Sequence, residues 1–126
     1  MAKRILLALI VMCGHFAFGA SWTGHEMLRY CGHALDDPTS LTSAQSMKTF
    51  ICMGYVSGTV DSMQTFYNSS TSSKTIVKPF CLPVEGLERM QVMRVVLKWL
   101  EANRAKLDWE APEIIKQALS EAFPCP

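Results

Sequence analysis

The chain has 126 residues, 49% hydrophobic and 18% charged, with a formal net charge of +1. That length suits one folded unit and is short for two. No run of like charge occurs, so a basic face for nucleic acid or an anionic membrane has no support in the sequence.

The elements begin with a leader. Met1-Ala2-Lys3-Arg4 is basic, Ile5 to Met12 is an unbroken apolar run, and Ala17 and Gly19 are small residues three and one before a cut ahead of Ala20. This is the layout of a cleaved export signal over residues 1–19, and its apolar run is too short for a spanning helix of about 20 residues. Cleavage removes Lys3, Arg4 and Cys13. It leaves 107 residues, 20–126, as a single helical domain with ten basic and eleven acidic side chains. Four cysteines remain, Cys31, Cys52, Cys81 and Cys125, an even number delivered to an oxidising compartment.

The mature pattern reads as all-α, a small four-helix bundle with room for a further short helix. Met27, Leu28, Cys31 and Leu35 recur at helical spacing in a first helix from about Gly24 to Leu35, which Asp36-Asp37-Pro38 stops. Thr42-Ser43-Ala44-Gln45 matches a capping box at the start of a second. Met53, Val56, Val60, Met63 and Tyr67 continue its apolar face to Tyr67, a length of about 37 Å. Gly54 and Gly58, four apart, suggest tight packing against a neighbour. Asn68 to Lys74 is polar and reads as a surface loop, and Thr75-Ile76-Val77 is too brief to found a sheet. A third helix spans about Glu85 to Asn103. Its polar line is Gln91, Arg94, Lys98 and Glu101, and Val92, Met93, Val96, Leu97, Trp99 and Leu100 cover the rest, which implies burial on more than one side. A fourth runs from about Ala111 to Phe123, with Pro112 in its first turn and Pro124 beyond its end.

Helices joined by short connections lie antiparallel. A first hairpin turning at Asp36 to Leu41 sets Cys31 opposite Cys52. A second, turning at about Arg104 to Glu110, brings the start of the third helix and Cys81 towards Cys125. Four cysteines allow three connectivities. The hairpins favour Cys31–Cys52 with Cys81–Cys125, the second requiring the leader of helix three to fold back.

Catalytic chemistry has little footing. His25-Glu26 opens like a zinc-protease helix, but position 29 is Arg. Cys31 and His33 stand two apart and do not share a helix face. A cysteine nucleophile needs a free thiol, and all four mature cysteines have candidate partners. Asp61 reads as a cap, a bridge or a surface group. No metal or cofactor is expected.

One set of linked segments is similar to a known family. The residues are Leu28 to Cys31, then Cys52-Met53-Gly54-Tyr55-Val56-Ser57-Gly58 with Asp61, then Phe80-Cys81-Leu82-Pro83. Gln91, Val95-Val96-Leu97-Lys98-Trp99-Leu100, Ala111, Ala118-Leu119 and Ala122-Phe123-Pro124-Cys125 complete it. In this order they resemble the Tai-type immunity family (the Rap/Tai domain), differing where Asn103-Arg104 replaces a common His-Pro pair.

The resemblance implies a periplasmic, commonly dimeric helical protein without catalysis. Its partner would be a type VI secretion amidase of cysteine–histidine type that cuts peptidoglycan peptides, inhibited by occlusion of its active-site groove. No inhibitory contact transfers residue by residue. A loop held by a cross-linked scaffold binds at low ordering cost, so the polar stretch Asn68, Ser69, Ser70, Thr71, Ser72, Ser73 and Lys74 is the first candidate contact. Gln91, Arg94 and Lys98 are the second. The competing expectation is a periplasmic helical chaperone or stress protein with no toxin partner.

Overall fold

A computed structural model describes residues 21–70, 76–83 and 85–126. The leader falls outside the described residues, as do Thr71, Ser72, Ser73 and Lys74. Among the described residues are four α-helices: α1 (Gly24–Cys31), α2 (Ser43–Ser69), α3 (Arg89–Ala102) and α4 (Ala111–Ala122). Short 3-10 turns stand at Pro38–Ser40 and Arg104–Lys106. The helices pack as two hairpins, α1 with α2 and α3 with α4, and α2 also lies against both helices of the second pair.

The core follows from the helical stripes. Met27 and Cys31 of α1, Cys52, Val56 and Val60 of α2, the six apolar residues expected on α3, and Ala111, Ile114, Ile115, Ala118 and Leu119 of α4 are all buried. Removing such side chains from water is the main favourable term in folding. Both hairpins are stapled as the topology suggested: Cys31–Cys52 with Cα atoms 5.2 Å apart and Cys81–Cys125 at 4.9 Å.

Three helix boundaries differ from the sequence expectation. The first helix ends at Cys31 instead of Leu35. After Gly32, turn bonds from Ala34 N–H to the Cys31 carbonyl (2.9 Å) and from Asp36 N–H to that of His33 (3.2 Å) replace the helical ladder, and Leu35 is left 45% exposed. The third helix starts at Arg89 instead of Glu85. Gly86 adopts a left-handed φ of 76°, which a helix cannot propagate through. The second helix runs on through Asn68 and Ser69, expected in a loop. The Ser69 hydroxyl donates to the Thr65 carbonyl (2.7 Å) and that of Ser70 to the Phe66 carbonyl (2.8 Å), which also accepts from Ser70 N–H, so these polar side chains bond back onto the last helical turn.

The start of the described chain is pinned to the second hairpin. Ala111 N–H donates to the Trp22 carbonyl (2.6 Å) and Gly24 N–H to that of Trp109 (3.1 Å). The Trp22 indole is stacked between Tyr30 and Tyr55, with ring centres 4.7 and 4.2 Å away. At the other end, Cys81 N–H donates to the Phe123 carbonyl (2.9 Å), which folds the leader of α3 back beside the end of α4.

Candidate interaction surface

The long helix α2 has two apolar sides over its first four turns. One faces the core through Cys52 and Val56, and the other carries Met47, Phe50 and Ile51, 62%, 70% and 43% exposed. Gly54 and Gly58 continue the outward side. The expected tight packing at these glycines is absent, since a β-carbon at either would meet nothing within 4 Å. The spacing of the two glycines, four apart, suggests an inward role for them. The bridge at Cys52 and the core contact of Val56 turn the glycines the other way.

A groove with a largely apolar lining adjoins this side. It has a volume of about 600 Å³ and is walled by Leu35, Pro38 and Leu41 of the α1–α2 connection, Phe50 and Met53 of α2, and Met90 of α3. Three polar features mark it. Thr49 lines the groove, and its hydroxyl is buried with no hydrogen-bond partner. Asp36 and Asp37 contribute from the connection and Arg94 from α3.

The two aspartates are held in place. Asp36 Oδ2 lies 2.7 Å from Nδ1 of His33, and His33 Nε2 lies 3.2 Å from the Gln45 amide nitrogen. Gln45 in turn accepts from Thr42 N–H (2.8 Å) in the capping box of α2. Asp37 accepts from the Thr39 backbone (2.8 Å) and hydroxyl (2.7 Å), which holds its carboxyl below the usual aspartate range. Arg94 is exposed and joins no ion pair among the described residues.

The remaining expected contact residues are dispersed. Asn68 accepts from Lys78 Nζ (2.6 Å) and lines a pocket of about 280 Å³ beside Phe80 and Leu82. Ser69 and Ser70 serve the helix end. Gln91 accepts from Glu88 N–H (3.3 Å) at the start of α3. Lys98 borders a shallow seam between α3 and α4, next to Trp99 and Ala118. Asp61 is exposed and shares a pocket of about 220 Å³ with Arg89. Of the α3 line, Arg94 alone reaches the large groove. Exposed Leu35 and Phe50, which complete that groove, escape sequence reasoning because both fit an ordinary core pattern.

Reactive chemistry finds no assembled site among the described residues. Their four cysteines are bridged in pairs, and no group of three or more His, Cys, Asp or Glu is placed to hold a metal ion. His25 Nε2 contacts Asp108 at 3.1 Å on the exposed surface, with no thiol to activate. No described helix is long and apolar enough to cross a membrane.

No curated protein and no solved structure matches the chain. A family model does, over residues 23–125, from the residue capping α1 to the last cysteine. The chain therefore belongs to the Rap1a immunity proteins.

Proposed function

We propose that this protein is a periplasmic antitoxin that binds a cognate type VI secretion amidase and blocks its peptidoglycan-cutting groove by occlusion. The family match carries the reading, because an immunity protein acts by binding a secreted effector. Two buried or half-buried bridges fit an oxidising compartment. The leader, residues 1–19, would deliver the chain there. Occlusion suits a scaffold whose surface is shaped and whose thiols are bridged. It needs no catalysis from the antitoxin, only a surface that keeps its form while a partner docks. The end of α2 with residues 71–74, together with Arg94 of α3, supplies the contacts in this reading. The working form is a homodimer.

The test is periplasmic co-expression with each candidate cysteine–histidine amidase found near this gene. Cells should survive the toxin only when the full chain with its leader is present, and the purified pair should bind with a Kd of about 1 nM or below. Undiminished lysis with the protein present and folded in the periplasm would reject the reading.

A further inference from the structure

The groove beside Phe50 has a chemical polarity that specifies what fits it. Its floor is apolar and includes Met53 and Met90, whose flexible thioethers adapt to a partner's shape. Phe50 and Leu35 stand largely in solvent at its edge, an arrangement that marks interaction surfaces. The charges differ by element. Asp36 and Asp37 are fixed on the α1–α2 connection by His33 and Thr39, whereas among the described residues Arg94 on α3 joins no ion pair, with these aspartates or with any other group.

We propose that this groove is the effector's docking site, and that it takes a bipolar segment of the toxin: one or two apolar side chains set against Phe50, Leu35 and Met53, with a carboxylate for Arg94 and a cation for the Asp36–Asp37 pair. The proposal rests on the immunity reading above and adds the anchoring surface to it. The apolar side chains supply the buried centre that dominates binding energy. The oppositely charged rims fix the direction in which the segment lies and exclude a segment of reversed polarity. Docking here leaves the far end of α2, about 30 Å along the helix at 1.5 Å per residue, free to contact another part of the toxin.

Binding of the amidase that the co-expression test identifies to the purified, oxidised protein tests this, with hydrolysis of peptidoglycan and the mass of the free protein measured in parallel. Phe50→Ser and Arg94→Glu are both exposed changes, and melting curves verify that each variant folds. Phe50→Ser is expected to weaken binding by about thirtyfold or more and Arg94→Glu by about tenfold. Arg104→Glu, an exposed change outside the groove, should leave affinity within about twofold. Reversing the toxin's matching carboxylate to lysine should restore binding to Arg94→Glu selectively. If the wild type binds and inhibits while both groove variants do so equally well, the docking site is wrong and the immunity reading survives. A wild type that neither binds nor inhibits removes both. Variants that alter the mass of the free protein while toxin binding holds would assign the groove to a second copy and overturn the proposal.

Discussion

The Cα atom of Leu107 lies 2.8 Å from the point where a β-carbon on Gly24 would sit, and the Leu107 carbonyl oxygen is equally near. Both neighbours are backbone, so they cannot swing aside as a side chain would. Gly24→Ala should therefore cost about 1–3 kcal/mol of stability, read as a lower denaturation midpoint. Gly54 and Gly58 are the contrast. Each is a helical glycine facing open space, and alanine at either should stabilise by about 0.5–1 kcal/mol. Destabilisation by alanine at position 54 or 58 in the free monomer would contradict the described surface.

The bridges close loops of different length, with 21 positions separating Cys31 from Cys52 and 44 separating Cys81 from Cys125. Loop entropy predicts a loss of about 3–4 kcal/mol for removing either, slightly more for the longer loop. Cys31 and Cys52 are wholly buried, so replacing both by alanine also leaves a void in the core and reverses that order. Urea unfolding of the two double variants measures the difference directly.

Three carboxyls are held below their ordinary values by hydrogen bonds: Glu26 by the Thr23 hydroxyl and backbone, Asp37 by Thr39, and Glu121 by the Gln117 amide and the Trp99 indole. The folded chain thus binds fewer protons than the unfolded chain over the interval below those ordinary values, 4.5 for glutamate and 3.8 for aspartate. Their contribution is complete above that interval and drains away as pH falls through the folded values. These groups should leave the melting temperature unchanged between about pH 7 and pH 5 and lower it as the pH falls further. Glu121→Gln, which keeps the shape of the Trp99 contact at 2.8 Å, should make the acid decline shallower. An acid profile parallel to that of the wild type would count against the assignment.

The Thr42 hydroxyl accepts from Gln45 N–H at 3.2 Å, and the Gln45 side chain answers at the Thr42 backbone. Thr42→Ala should cost about 1 kcal/mol. Gln45 also contacts His33, so a double-mutant cycle between positions 42 and 33 should show coupling. Independent effects would mean that the end of α1 and the start of α2 do not communicate through Gln45.

Much of the architecture was legible because it rests on periodicity. All six apolar positions named on α3 are buried, and the two bridges join the cysteines that hairpin topology sets opposite each other. What escaped was local and tertiary. Helical spacing predicts an inner face of Ile115, Ala118, Leu119, Ala122 and Phe123 for α4, yet Ile114 is fully buried and Ala122 is exposed. Small tilts of a short helix decide such cases. The helix α2 runs on where composition suggests a loop, with the Ser69 and Ser70 hydroxyls bonded back onto its last turn, and left-handed Gly86 delays α3. The interaction surface was the least readable. Arg94 belongs to it, but its companions come from three elements and look, singly, like core residues.

Neither bridge crosses from one hairpin to the other: the first of the four described cysteines pairs with the second, and the third with the fourth. For a chain oxidised from its N-terminal end, each thiol's correct mate is the next to arrive. Pairing of this kind proceeds without isomerisation, and a Cys13 retained ahead of the four would be the one thiol able to spoil the order.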